Sequence, residues 1–352
     1  MKDLESLCYE LVNIPSVSLD EAGIADYVES ILEPAEHLSV VRIENNVVAT
    51  RRDVGPIRYM VAGHLDTVPP SPGYPVGRKD DRIYGVGASD MKAGLAVMIG
   101  LALDPANTSP TRYLFYAAEE IERSQSGIFQ VERQWPDALA VEAAILMEPT
   151  GVSLEAGCQG TMRARLTIAG KRSHSARPHK GINAIHRIAP FLQRIAAEDQ
   201  RSVELDGCTF REALSVVRIA GGIANNVVPD QVEATINYRF APDRKTEEAF
   251  AYLVSLFEGL MDPELGDSLV LVDSVDGALP NLSNELLDRL SRRVHAKRAK
   301  LGWTDVATFF DRGIAATNYG PGDPELAHSA GEWVAVDEIY RAFEVLSEVL
   351  AN

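Results

Sequence analysis

The stretch RYMVAGHLD, Arg58–Asp66, is an apolar run that ends on an imidazole and a carboxylate. A short continuous apolar segment bounded by polar or turn residues predicts a strand buried on both faces of a parallel sheet. The same form recurs along the chain. RYLFY, Arg112–Tyr116, leads into Ala117-Ala118-Glu119-Glu120, and AAILM, Ala143–Met147, leads into Glu148-Pro149. Ala315–Tyr319 leads into Gly320-Pro321-Gly322 and then His328. Between the first two runs, MKAGLAVMIGLAL, Met91–Leu103, reads as a buried helix. Strand and helix in alternation predict an α/β sheet with helices on its faces.

Ligands of open α/β sheets gather at the carboxyl ends of the strands, so these separate segments deliver His64, Asp66, Glu119, Glu120, Glu148 and His328 to one rim. Asp90, just after Gly85-Val86-Gly87, can join them. A lone His-x-Asp is usually a solvated pair, and a lone Glu-Glu usually an exposed helix start. Four apolar strands that all end in ligand-type residues are not explained that way. Imidazole and carboxylate donors without thiolate suit zinc or a similar divalent cation in a catalytic site. Their number exceeds the need of one ion and points to two, about 3.5–4 Å apart, that activate water and polarise a carbonyl.

Other candidates carry less. Gly85–Ser89 has neither the third glycine of a dinucleotide fingerprint nor the lysine and hydroxyl of a phosphate loop, so it reads as a turn. Cys158 has Gln159 beside it but no evident base and reads as a buried structural thiol.

Further out, Asp3–Val12 and Ser18–Leu32 have helical spacing, the second with Ser18 and Glu21 placed as a capping box. In the middle of the chain the pattern changes to alternating strands, Thr161–Ile168, Leu214–Ile219, Gln231–Arg239 and Ser268–Val272. Helices over Asn183–Ala197 and Thr246–Met261 interrupt them. Strand, helix, strand, strand, helix, strand is the ferredoxin-like order, so 159–275 is expected to be a separate domain inserted into a larger one formed by 1–158 and 276–352. Hinges are expected near Gly157–Gly160 and Asp273–Ala278. Ser283–Lys300 then reads as a helix and Val336–Leu350 as the closing one.

A chain of 352 residues suits two domains, and 46% hydrophobic residues with 24% charged suit a packed protein. A formal charge of -17, with no basic stripe, disfavours nucleic acid and anionic lipid. No apolar run approaches spanning length, and the N-terminus reads as an amphipathic helix rather than a signal peptide. Three scattered cysteines, Cys8, Cys158 and Cys208, fit a reducing compartment, so a cytoplasmic protein is expected.

In this order the motifs resemble the dinuclear zinc amidohydrolases, which include aminoacylases, carboxypeptidase G-type enzymes, acetylornithine deacetylases and succinyl-diaminopimelate desuccinylases. The carrying residues are Gly63–Pro69, Gly85–Lys92, Glu119-Glu120, Met147-Glu148-Pro149, and Gly320-Pro321-Gly322 with Ala327-His328-Ser329. The phrases Gly157–Thr161 and Asn237–Arg244 look most like the actinobacterial-type desuccinylases. The resemblance implies a zinc-peptidase-like catalytic domain, mostly parallel in its sheet, and an inserted α+β domain that dimerises and acts as a lid. It implies that Asp90 bridges two ions, zinc or else cobalt or manganese. His64 and Glu148 would complete one site, and Glu120 and His328 the other. Asp66 would orient His64, and Glu119 would be the general base. His174 would reach across a homodimer to the oxyanion of the partner's site, and Asn226 and Arg239 would hold the substrate's carboxylate.

The activity implied is hydrolysis of an N-acyl amino acid, with N-succinyl-L,L-2,6-diaminopimelate the leading substrate. An acetylornithine deacetylase, another N-acyl-amino-acid hydrolase and a dipeptidase remain open. So do a non-catalytic metal-binding protein and a peptide-binding module. One departure bears on the substrate: many desuccinylases carry paired arginines where Cys158 and Gln159 stand, and Arg163 or Arg177 are the residues that could substitute.

Overall fold

The structure, a computed structural model, describes residues 3–71, 73 and 76–351. The chain divides into two compact units. One comprises Met1–Ala156, Pro280–Arg298 and Thr308–Asn352, and the other Gly157–Leu279 and Ala299–Ala307. The short return segment Ala299–Ala307 therefore groups with the inserted unit, where the sequence had assigned it to the larger one.

In the larger unit the four apolar runs lie side by side as parallel strands. Thr111–Tyr116 pairs with Tyr59–His64, which pairs with Ala143–Leu146, which pairs with Ala315–Asn318. Every residue of the first three is buried, which is why they read as unbroken apolar runs rather than alternating ones. The antiparallel hairpin Leu38–Ile43/Asn46–Arg51 extends one edge, and Leu154–Ala156 and Lys297–Ala299 the other, giving an eight-stranded sheet.

Helix Ala93–Leu103 has ten of its eleven residues buried. It packs between the sheet and helices Leu4–Val12 and Val336–Ala351. Each of its buried Leu, Ile, Val and Met side chains contributes about 1.5–3 kcal/mol. A Cβ at Gly94 would stand 2.4 Å from the Met147 carbonyl oxygen, so only glycine lets the helix approach the strand end that carries Glu148.

Two expected helices differ. Ser283–Lys300 is a helix only over Glu285–Arg293, because Val294 turns extended and Lys297–Ala299 becomes the sheet's edge. The expected capping box at Ser18 is absent: the second helix starts at Ala22, Glu21 accepts the Leu19 N–H, and the Ser18 hydroxyl goes elsewhere.

In the second unit four antiparallel strands take the spatial order Ala213–Gly221, Gln231–Phe240, Gly160–Ala169, Ser268–Val275. Helices Ala184–Ala196 and Thr246–Leu256, the second shorter than expected, close one face over a core that includes Leu166, Ile188, Phe191, Ile236 and Leu253. This is the ferredoxin-like arrangement. Alternation is what one covered face demands: in Gln231–Phe240 every second residue is buried.

Candidate metal centre

Each parallel strand ends by presenting a donor. His64 is the last residue of its strand, Glu119 and Glu120 follow Tyr116, and Glu148 follows Leu146. Asp90 comes from the irregular turn before helix Ala93–Leu103, where its peptide bond to Met91 is cis. His328, at φ +61°, comes from the loop beyond Ala315–Asn318.

Donor atoms of His64, Asp90 and Glu148 lie within 4.8 Å of one another, and so do those of Asp90, Glu120 and His328. The two trios share Asp90. A third grouping within the same limit, His64, Glu119 and Glu120, puts Glu119 beside both. His64 Nε2 lies 3.0 Å from Asp90 Oδ1, while His328 Nε2 lies 2.8 Å from Glu120 Oε1 and 3.6 Å from Asp90 Oδ2.

Asp66 sits behind this cluster. The Nδ1 of His64 is 2.9 Å from the Asp66 backbone oxygen and 3.5 Å from its Oδ1, so the carbonyl is the nearer partner. The carboxylate also accepts the Glu119 N–H on Oδ1, the Glu120 N–H on Oδ2, both at 3.0 Å, and the Ser18 hydroxyl on Oδ2 at 2.7 Å. Burial pushes this carboxyl up, but the His64 imidazole, Ser18 and the Glu119 N–H together hold it down at about 2. Asp66 is charged at any working pH.

The donor set fits divalent cations. With Nδ1–H of His64 donated to Asp66, the ring's remaining lone pair faces a carboxylate oxygen at 3.0 Å, an arrangement that is repulsive unless a positive charge lies there. Burial and the charge of Asp90 push the Glu120 carboxyl up. Burial works against a charged His328, yet Glu120 and Asp90 outweigh it and raise its pKa. The cluster thus draws positive charge to itself, and nitrogen and oxygen donors without sulfur suit zinc, cobalt or manganese.

Of the other sequence-derived candidates, His174, Asn226 and Arg239 all lie in the second unit. The short pair Ser173–His174/Val227–Val228 sets His174 beside the loop carrying Asn226, whose carbonyl accepts the Ser175 N–H at 2.9 Å. Nδ1 of exposed His174 accepts the Ala176 N–H at 3.0 Å, which leaves Nε2 as the protonated, donating nitrogen. Arg239 stands near the far end of strand Gln231–Phe240. From Gln231 to Arg239 the strand rises roughly 26 Å at about 3.3 Å per residue. Asn226 and Arg239 of one chain therefore stand at opposite ends of the sheet, too far apart to grip one carboxylate together.

Arg239 is half-buried in a cavity of about 330 Å³ lined by Thr161, Arg163, Asn237, Asp273 and Ser274. Burial pulls its guanidinium down from the usual arginine value. Arg163 is engaged: its Nε donates to both Asp273 oxygens, at 2.9 and 2.8 Å. Cys158 is fully buried, and burial pushes its thiol up. The Gln159 amide donates to the Arg211 carbonyl at 2.6 Å. All three cysteines are buried thiols outside any disulfide.

Sequence reasoning missed Glu332 and Ser18, whose contacts with the Asp90 turn and with Asp66 join residues remote in the chain. It also passed over Lys92, buried with its ammonium on the Ile14 carbonyl at 2.7 Å; burial lowers its pKa to about 8. Among the described residues no helix is long and apolar enough to cross a membrane.

Fold and donor set together define a metal-dependent hydrolase of the zinc-peptidase type. Comparison with known proteins agrees. A family model described as a peptidase dimerisation domain matches residues 157–263. A provisionally named succinyl-diaminopimelate desuccinylase of Mycobacterium tuberculosis is 45% identical over 345 residues, covering 97% of this chain and 96% of the relative. The succinyl-diaminopimelate desuccinylase of Corynebacterium glutamicum is 38% identical over 354 residues, covering 98% and 95%. Among solved structures, aminopeptidase PepT of Bacillus cereus superposes with a TM-score of 0.78 at 19% identity over 99% of this chain and 97% of its own. A dinuclear metal-binding M20 peptidase of Bacillus subtilis does so with a TM-score of 0.67 at 19% identity, over 99% and 96%. The chain belongs to the M20 family of metal-dependent peptidases and amidohydrolases, on the branch of the succinyl-diaminopimelate desuccinylases.

Proposed function

We propose that the protein hydrolyses the amide bond of N-succinyl-L,L-2,6-diaminopimelate, releasing succinate and L,L-diaminopimelate. The observation that carries the chemistry is the pair of donor trios sharing Asp90 with Glu119 alongside. The names and near-complete coverage of the relatives carry the substrate.

His64, Asp90 and Glu148 would hold one divalent cation and Asp90, Glu120 and His328 a second, zinc in preference to cobalt or manganese. Cations so placed would make water a stronger nucleophile and polarise the scissile carbonyl. Glu119 takes the proton of the attacking water and hands it to the departing amine. Asp66 fixes His64 on one side and the Glu119-Glu120 turn on the other, so the base and one ligand are positioned by a single carboxylate.

His174 supplies its Nε2–H to the developing oxyanion. It acts in a homodimer built through the inserted unit, on the partner's site. The separation of His174 and Asn226 from Arg239 supports that assignment, because a substrate of this size cannot reach both ends of one sheet. Arg239, a half-buried cation lining that cavity, takes a substrate carboxylate from its own chain, and Asn226 comes with His174 from the other. The catalytic parts then are residues 1–158 and 276–352, adjusted at their edges to the compact units, with the insertion as dimerisation element and lid. Buried cysteines outside any disulfide support a cytoplasmic enzyme.

Gln159 gives the second reading its one foothold. Its amide is tied to Arg211, so the paired-arginine contact of many desuccinylases has no equivalent there. N-acetylornithine or another N-acyl amino acid would then be the substrate. Amine release by zinc-loaded protein from N-succinyl-L,L-diaminopimelate, N-acetylornithine and a dipeptide separates these. Preference for the succinyl compound is expected, and its rejection in favour of another overturns the substrate.

A further inference from the structure

The turn that carries Asp90, Gly85–Lys92, has irregular backbone, with Asp90 and Met91 both outside helical geometry. The carboxylate of Glu332 fills it. Glu332 is 1% exposed. Its Oε1 accepts the backbone N–H of Ser89 at 2.7 Å and of Asp90 at 2.9 Å, and its Oε2 accepts that of Gly87 at 3.2 Å. The Glu332 carbonyl accepts the Gly85 N–H at 3.1 Å. Delivery depends on the antiparallel pairing of Trp333–Ala335 with Arg82–Tyr84, which sets Trp333 opposite Tyr84 and so places Glu332 at the mouth of the turn. The turn has little freedom to settle otherwise. Gly87 lies at φ +76°, and a Cβ there would stand 2.6 Å from Thr67 Cγ2.

A merely structural plug has cheaper solutions. A carboxylate buried against the Asp90 turn adds negative charge beside a cluster already crowded with it, and an amide or hydroxyl could accept the same N–H groups. What the charged acceptor adds is a rigid backbone at Asp90. That residue must face two imidazoles at once, His64 Nε2 at 3.0 Å and His328 Nε2 at 3.6 Å. The strand following Glu332 is also continuous with the loop bearing His328.

We infer that Glu332 is a positioning residue of the cation pair: it clamps the Asp90 backbone and ties it to the segment that carries His328, setting the geometry of the shared carboxylate. This rests on Asp90 being the shared ligand.

The experiment uses Glu332→Gln beside Asp90→Asn in the full-length protein. Metal-free samples are titrated with zinc against a chromophoric chelator, and cobalt-loaded samples are recorded by visible absorption. Glu332→Gln keeps the shape but turns an acceptor into an amide N–H beside the donors. It is expected to weaken binding of at least one cation roughly 10–100-fold and to alter the cobalt bands, with the melting temperature of the metal-free protein close to wild type. Wild-type affinity and spectrum in Glu332→Gln, while Asp90→Asn loses cation binding, overturn the inference and leave the site intact. Wild-type binding in Asp90→Asn overturns the ligand assignment itself. Should Glu332→Gln not fold, Glu332→Asp, charged but one methylene short, is judged by the same criteria. Hydrogen exchange of the Ser89 and Asp90 amides in the wild-type holoenzyme gives an independent reading: slow exchange is expected, and exchange at the rate of an open loop contradicts the clamp.

Discussion

Asp66 Oδ1 accepts the backbone N–H of Glu119 at 3.0 Å, although the two residues lie on different strand ends. A single buried carboxylate thereby sets the turn that aims Glu119 and Glu120, besides orienting His64. Its reach is wider than the orientation of one imidazole, and its loss should damage the proposed base and the proposed ligands together.

Replacing Asp66 by Asn keeps one acceptor and turns the other into a donor facing the Glu120 N–H and the Ser18 hydroxyl. The expected result is a fall in kcat of roughly 10–100-fold with weaker zinc binding. Ser18→Ala removes only one of several donors and should cost about 1 kcal/mol or less in stability and little in kcat. Steady-state kinetics with zinc titration check both. Because Asp66 is held at about 2, it stays charged throughout the working range, and the acid limb of a kcat/KM profile should be the same in Ser18→Ala as in wild type.

If His174 serves the partner's site, two inactive variants should repair each other. A dimer of one Glu119→Ala chain and one His174→Ala chain holds one complete site, that of the His174→Ala chain with its partner's imidazole. Random mixing should restore roughly a quarter of wild-type activity, since half the dimers are hybrids with one working site each. Activity of the mixture equal to the sum of the separate variants contradicts the trans assignment.

In the inserted unit, Asp267 accepts both Arg187 terminal nitrogens at 2.7 Å, the Ala169 N–H at 2.9 Å and the Asp262 N–H at 2.8 Å. Burial opposes its charge, but Arg187 and the two backbone donors hold the carboxyl below the usual aspartate range. A depressed folded-state pKa contributes stability that is present above the unfolded value of about 3.9 and lost as pH falls through the folded one. Asp267→Asn should therefore cost roughly 2–4 kcal/mol near pH 7, with the gap from wild type closing below about pH 4. Denaturant melts across pH read this directly; a gap independent of pH would assign the cost to packing.

How much of this is legible from sequence depends on whether the partners are side chains or backbone. The parallel strands show because strands buried on both faces must be apolar throughout, and each donor follows its run immediately, as His64 follows Tyr59–Gly63. The inserted unit shows because one covered face forces alternation, as in Gln231–Phe240. Ser18 misleads because a hydroxyl before a helix has a local use as a cap, and only the fold reveals that Asp66 claims it. Glu332 is invisible because its partners are main-chain N–H groups far away in sequence, which no residue pattern records. The opposite placement of Asn226 and Arg239 emerges only from strand register. The break after Arg293 is lost because helix Glu285–Arg293 and the following strand form one polar-apolar mixture without glycine or proline between them.

The most direct test of the central claim is metal content and turnover measured together on Glu119→Gln. The variant is expected to bind roughly two equivalents of zinc, as wild type would, while amine release from N-succinyl-L,L-diaminopimelate falls by about 10²–10⁴-fold. Undiminished amine release with the zinc in place would contradict the assignment of Glu119 as the base, and with it the account of this cluster as a hydrolytic centre.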